Sequence, residues 1–259
     1  MSSKLCVVFG ASGDTGKPIV QSLLLEGTSV RAFVRTPSKL GISHQRLEIT
    51  QGDLTDASAV KASIKGADVV ICLAGGPADR SFQGGFLLPV AKTIVDGMLL
   101  HGVSRLVMQL GAMCIAPTTM MPNEAASTGF FKGFVLRKMI SPYVSKFHGC
   151  HVDNDLVLDY FASLDAATNA KIKWTLTRPT ALDPEEGGFG HGSSQGKLIS
   201  AEHLRLPAEN GAAFCDFGPY YAEMIKTDDP KWVHSAPFVR YERLDKSDVE
   251  KTARCLPCC

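Results

Sequence analysis

The sequence predicts an α/β fold built on a doubly wound parallel sheet, and three observations carry that expectation. Short apolar runs alternate with stretches of helical spacing as far as Pro179. Such alternation implies right-handed strand–helix–strand crossovers, hence parallel strands with helices on both faces. The first strand runs into a helix through three glycines spaced three apart, and no repeat, low-complexity tract or linker divides the chain.

The elements follow in order. KLCVVF (4–9) is a buried strand, GKPIVQSLLLE (16–26) carries apolar residues at helical spacing, Gly27 stops that helix, and SVRAFVR forms the second strand. RLEITQGD gives a third strand, DASAVKASIKG a helix, and ADVVICLAGG a fourth strand ending in two glycines. LLPVAKTIVDGMLLHG is a long helix and SRLVMQL a fifth strand. After residue 111 the rhythm breaks, then resumes with a helix near 147–163 and the strand KIKWTLTRP. Beyond Pro179 come a glycine-rich loop, a short segment KLIS, the helical stretch GAAFCDFGPYYAEMIK and the late strand APFVRYE. The expected organisation is one domain over 1–259, with 112–145 and 180–240 contributing a small C-terminal substrate lobe and 245–259 forming a tail.

Composition bounds the partners. At 259 residues and 45% apolar content the chain can bury a full core. Lys and Arg number 27 against 26 for Asp and Glu, so no global field favours nucleic acid or an anionic membrane, and any anion site must be built locally. The start MSSKLCVVFGASG lacks the hydrophobic stretch and cleavage site of a signal peptide, and no run reaches the ~18 apolar residues of a membrane helix. The expectation is a cytoplasmic protein without a transmembrane segment. Of eight cysteines, three form the tail CLPCC; its lone CxxC lacks the second ligand pair of a zinc site, so no metal is expected. The terminal Cys258-Cys259 pair could accept a lipid, although it is not a C-a-a-X pattern.

Gly10, Gly13 and Gly16 stand directly after a strand and open a helix, the context that a dinucleotide fingerprint requires. Glycine lets backbone amides approach a pyrophosphate, and the helix N-terminus adds partial positive charge. Ser12, Asp14 and Thr15 place polar side chains in the same loop. NAD-binding units put an acid at the end of the second strand to hold the ribose 2′-hydroxyl. Here that strand ends in Arg35, followed by Thr36, Ser38 and Lys39, with no carboxylate. A guanidinium and an ammonium suit the 2′-phosphate, so NADP(H) is the expected cofactor. Asp53 and Leu54 close the third strand and can border the adenine, while Leu73, Ala74 and Gly75 close the fourth, where small residues let backbone approach the nucleotide.

With GASGDTG, VRTPSK, GDLTD, CLAGG and WTLTRPTAL in this order, the chain resembles the atypical short-chain dehydrogenase/reductase superfamily. It is most similar to the NmrA-like and flavin/biliverdin-type reductase branch, over about residues 4–182. The resemblance implies a Rossmann-like strand order 3-2-1-4-5-6-7 and a substrate lying over the nicotinamide at the carboxyl ends of the strands. It also implies a Tyr-x-x-x-Lys pair; Tyr143-Val-Ser-Lys146 has one intervening residue too few. Counting back from WTLTRP, with Asp155 taken as the family's acid, the lysine slot falls on His151 and the tyrosine slot on Phe147. His151 is thus the leading proton-handling candidate, since imidazole titrates near neutrality, with a merely pocket-lining histidine as the alternative. Tyr143 and Lys146 remain candidates if the preceding loop turns inward.

Where the family often has a hydroxyl after the fifth strand, Gly111 stands, and no hydroxyl follows until Thr118. Pro179 and the glycine-rich 187–196 loop, with His191, would flank the nicotinamide side. The 112–145 segment carries Met113, Met120, Met121, Met139, Phe130, Phe131 and Phe134, an adaptable apolar wall for a bulky substrate or else a satellite core or homodimer contact. These features predict an NADP-dependent oxidoreductase acting on a hydrophobic or aromatic carbonyl, quinone-like or flavin-like compound. Two alternatives stay open: an isomerase, cyclase or dehydratase on the same fold, and a cofactor-sensing regulator that binds a protein partner.

Overall fold

The computed structural model describes residues 4–77, 79–111, 114, 147–179, 198–201, 214–226 and 229–241. Its centre is an eight-stranded sheet in the order β3-β2-β1-β4-β5-β6-β8-β7. The strands are β1 (Leu5–Phe9), β2 (Ser29–Val34), β3 (Leu47–Gln51), β4 (Val69–Cys72), β5 (Arg105–Gln109), β6 (Lys173–Pro179), β7 (Leu198–Ala201) and β8 (Phe238–Tyr241). All neighbours pair in parallel except β7, which runs antiparallel to β8 at the sheet edge. The expected seventh strand, APFVRYE, does lie beside β6; the short KLIS segment adds an outer strand that the family order did not include.

Among the described residues the α-helices are α1 (Gly16–Leu25), α2 (Ala57–Ile64), α3 (Leu87–His101), α4 (His148–Ala162), α5 (Ala166–Lys171) and α6 (Phe214–Lys226). Strand alternation explains the two layers, because successive side chains point to opposite faces. Val7, Phe9, Val70, Cys72, Leu106, Met108 and Leu176 pack with α2, α3 and α4 in one core cluster. Cys6, Val8, Val30, Ala32, Ile71 and Val107 pack with α1 and α6 in the other. Central strands buried on both faces must be apolar at every position, which is why β1 and β4 read as unbroken runs rather than alternating ones.

The described part of the last quarter is built onto this frame. β8 extends the sheet, and α6 lies along α1, with Gly218 against the Pro18 carbonyl and the Ser22 side chain. A Lys226–Glu26 ion pair joins the carboxyl ends of the two helices. Two differences from the sequence reading are local. β4 stops at Cys72, before the glycines, and the short helix α5 intervenes before β6, capped by Asp165, whose carboxylate accepts from the Thr168 amide at 2.8 Å. The 112–145 segment lies outside the described residues apart from Cys114, as does the 245–259 tail.

Candidate functional site

The glycine loop joins β1 to α1 at the carboxyl edge of the sheet, next to the point where strand order reverses between β1 and β4. Gly10 has φ of +79°, and a Cβ there would lie 2.9 Å from the Ala74 amide nitrogen, so the bend rests directly on the end of β4. A Cβ on the buried Gly16 would run into the Gly10 carbonyl oxygen and come within 2.7 Å of the Ala11 carbonyl group. These two positions therefore require glycine, one for its left-handed backbone and one for close approach. The loop closes through Gly13 N–H to the Gly10 carbonyl at 3.1 Å and Lys17 N–H to the Gly13 carbonyl at 3.1 Å.

Thr15 occupies the N-cap of α1 but makes no side-chain capping bond, and the first turn contains no acid. Of the opening amides of α1, that of Lys17 is taken by the Gly13 carbonyl and Pro18 has none, so Gly16 N–H and the loop amides before it, Gly13 apart, are the donors left for an anion. Ser12 is half-buried, and Gly13 and Asp14 are exposed at the rim. The chemistry of this loop fits the pyrophosphate of a dinucleotide: glycines at 10 and 16 bring backbone close to the opening of a helix, whose N-terminus favours negative charge.

The neighbouring strand ends supply the flanks. Arg35 follows β2 and is exposed; it forms no ion pair with any described carboxylate. Lys39 closes the short 3-10 turn Pro37–Lys39 and is also exposed. Asp53 follows β3, with Oδ1 accepting from the Thr55 amide at 2.9 Å and from the Thr55 hydroxyl at 2.8 Å. Those bonds, and then the charge of Arg35, hold its carboxyl below the usual carboxylate range. Leu54 is half-buried on the core edge, and Leu73 and Ala74 line the crevice after β4, with Leu73 N–H bonded to the Phe9 carbonyl at 2.9 Å.

Opposite them stands α4. His151 is half-buried in its second turn. Cys150 places its Sγ 3.4 Å from the carbonyl oxygens of both Gly76 and Pro77. Asn154 reaches the end of β5, its Nδ2 lying 3.1 Å from where a Cβ on Gly111 would be. Tyr143 and Lys146 lie outside the described residues, as do Thr118, His191 and the Met- and Phe-rich wall. Pro179 ends β6 and is buried beside β8, in register with Val239. Before it, the fully buried Arg178 donates from Nε to the Ala236 carbonyl at 2.7 Å and from a terminal nitrogen to the Cys114 carbonyl at 3.4 Å, while its guanidinium lies 3.8 Å from the Phe238 ring centre.

One residue that sequence reasoning missed shapes this wall. Asp153, 1% exposed, accepts from the amides of Gly85, Phe86 and Leu87 and so caps α3 from across the site. It is the buried acid of α4, whereas Asp155 two residues on is half-buried. α4 also packs closely at Gly149, where a Cβ would run into the Phe82 carbonyl. The phenylalanine at 86, standing where a capping Ser, Thr, Asp or Asn is expected, was the available signal that α3 takes its cap from elsewhere.

Among the described residues no cluster of three or more His, Cys, Asp or Glu side chains could hold a metal, and no helix is long and apolar enough to cross a membrane. A family model described as NAD(P)H-binding matches residues 10–204. A 3β-hydroxysteroid dehydrogenase/Δ5→4-isomerase of Mycobacterium tuberculosis is 29% identical over 163 residues, 60% of this chain and 41% of that protein. An NmrA-like family domain-containing oxidoreductase of Penicillium ochrochloron is 30% identical over 161 residues, 51% of this chain and 45% of that protein. The match thus spans less than half the length of these curated relatives. Among solved structures, a short-chain dehydrogenase/reductase of Veillonella parvula DSM 2008 in complex with NADP superposes with a TM-score of 0.61 at 14% identity, covering 93% of this chain and 95% of that one.

Proposed function

The chain belongs to the NAD(P)H-binding family as an atypical, NmrA-like short-chain dehydrogenase/reductase, and from that premise we propose that it is an NADP-dependent oxidoreductase of hydrophobic or aromatic carbonyl, quinone-like or flavin-like compounds. The observation that carries the cofactor choice is Arg35. It stands exposed at the end of β2, where NAD-binding units place the ribose-binding acid, and forms no ion pair with any described carboxylate, Asp53 after β3 being the acid that feels its charge.

The glycine loop and the amino end of α1 at Gly16 bind the pyrophosphate. Arg35 and Lys39 hold the 2′-phosphate, Asp53 and Leu54 border the adenine, and Leu73, Ala74 and Gly75 line the middle of the crevice. Gly111 and Pro179 flank the nicotinamide side. The bound cofactor supplies a hydride equivalent. His151 supplies the matching proton to the substrate oxygen or nitrogen, its imidazole being suited to that exchange near neutral pH. Positioning provides much of the remaining barrier reduction, because Gly111 offers no hydroxyl to polarise a carbonyl. A bulky apolar substrate agrees with one relative's being named a 3β-hydroxysteroid dehydrogenase.

The test is NADPH and NADH oxidation at 340 nm with menadione, FMN and benzil as acceptors, in the wild type and in Arg35→Ala and His151→Ala. A single charge-assisted bond is worth about 10- to 100-fold, so Arg35→Ala should lower kcat/KM for NADPH by at least that factor and leave NADH unchanged. His151→Ala should lower kcat with either cofactor. Equal use of NADPH and NADH, or no effect of Arg35→Ala, overturns the cofactor assignment. Tight NADPH binding without oxidation of any acceptor favours the second reading, a cofactor-sensing regulator, which the lack of a hydroxyl at Gly111 also supports.

A further inference from the structure

β5 is buried along four of its five residues and reaches solvent only at its last, Gln109. That residue points to the same sheet face as Val107, toward α1 and α6. From α6 the fully buried Tyr221 sends its hydroxyl between the strand ends, 3.1 Å from Gln109 Oε1 and 2.6 Å from Thr177 Oγ1. An amide oxygen can only accept, so Tyr221 donates to Gln109 and its oxygen accepts a hydrogen bond from the Thr177 hydroxyl. Thr177 Oγ1 also lies 3.4 Å from the Met108 carbonyl. Burial pushes the Tyr221 hydroxyl well above its ordinary range, so it stays protonated and remains a donor at neutral pH.

Fixing one end of a carboxamide fixes the other. With Oε1 tied into the sheet, Nε2 faces away from it, and it is absent from the buried polar atoms that lack a partner. The result is an amide donor of fixed orientation at the carboxyl end of β5. A dinucleotide seated on the β1–α1 loop sends its adenosine half toward Arg35 and Asp53, after β2 and β3, so its other half extends over β4 and β5. The end of β5 lies two strand spacings from the cradle, about 10 Å away. The nicotinamide carboxamide carries an oxygen that accepts what Gln109 offers.

We propose that Gln109 reads the nicotinamide half of the cofactor through its Nε2 and that Tyr221 is the residue that positions it. The inference rests on the dinucleotide reading above. It is tested with purified full-length protein by equilibrium titration of NADPH and of 2′,5′-ADP, which carries the phosphorylated adenosine half and no nicotinamide. Gln109→Leu and Tyr221→Phe should each weaken NADPH about three- to tenfold, the worth of one neutral hydrogen bond, and leave 2′,5′-ADP unchanged. Tyr220→Phe is the control, because that hydroxyl bonds Ser200 Oγ at 2.7 Å and should alter neither affinity.

If both ligands weaken together, or NADPH binding does not move, the role of Gln109 is refuted while the cofactor site stands. If the wild type binds neither ligand, the dinucleotide reading falls and the inference with it. Should Tyr221→Phe fail to fold, Gln109→Leu decides the point, and Gln109→Glu gives a second measure by replacing the donor with an acceptor, which should weaken NADPH at least as much.

Discussion

Replacing Asp153 by alanine removes the acceptor for three backbone amides at the start of α3. Oδ1 lies 2.6 Å from the Gly85 nitrogen and 3.1 Å from that of Phe86, and Oδ2 lies 3.2 Å from Phe86 and 3.1 Å from Leu87. Gly85 is exposed and Phe86 half-buried, so water can serve those two after the change; Leu87 is 1% exposed and cannot be served in this way. An unsatisfied buried amide costs about 1–3 kcal/mol, and loss of a capping acceptor about 1 kcal/mol more. The expected loss is therefore about 3 kcal/mol, large against the 5–15 kcal/mol that holds a typical domain together. Asp153→Asn keeps one acceptor oxygen and should lose about half as much. Urea unfolding followed by far-UV circular dichroism is the assay. At a slope of about 3 kcal/mol/M the alanine midpoint should drop by about 1 M with the slope unchanged. A loss below about 1 kcal/mol for alanine, or asparagine costing more than alanine, would refute the reasoning.

Other changes test the cradle, the titrating core and the α1–α6 contact. Gly16→Ala forces a methyl group into the Gly10 carbonyl and should weaken NADPH at least tenfold in direct titration, whereas a Gly13→Ala substitution, which meets only Gly10 O at 3.4 Å, should be far milder. Burial keeps the hydroxyls of Tyr220 and Tyr221 and the thiols of Cys6 and Cys72 protonated above their ordinary ranges, Cys72 to about 12. The unfolded chain loses those protons first, at pH values of about 8.5 for thiols and 10 for phenols. Stability should thus be full below pH ~8 and fall as pH rises toward ~11; a flat urea midpoint over that window contradicts it. Gly218→Val places side-chain carbon within 2.8 Å of the Pro18 carbonyl oxygen and should cost about 1–3 kcal/mol in the same unfolding assay, with NADPH affinity falling as α1 is displaced.

What the sequence reveals and what it hides divides along chain distance. The strands β1 to β6 and the helices α1 to α4 are marked locally, by apolar runs, helical spacing and stop residues, and stand where those marks predict apart from the earlier end of β4; the six-residue α5 is too short to show a period. The glycine cradle is legible for the same reason, since Gly10 and Gly16 meet within one turn of chain. Asp153 is not: on α4 it looks like one of several acids, and only folding brings it to amides 66 to 68 residues away. Gln109 and Tyr221 are 112 residues apart and neither belongs to a motif. The antiparallel edge at β7 is hidden too, because a four-residue segment such as LISA carries no sign of its partner's direction.

The contact between α1 and α6 bears on the order in which the protein comes into being. Ile19, Val20 and Leu23 share their core cluster with Phe217, Tyr221, Ala222 and Ile225. A nascent chain therefore carries α1 with one side uncovered until residues beyond 226 have left the ribosome. The nucleotide cradle is encoded among the first residues but buttressed among the last, so the amino-terminal half should not ripen into a binding module during synthesis. Contacts of such long sequence separation slow folding and prolong exposure of apolar surface. Truncation before α6 should accordingly yield a chaperone-bound or aggregating fragment rather than a minimal NADP-binding domain.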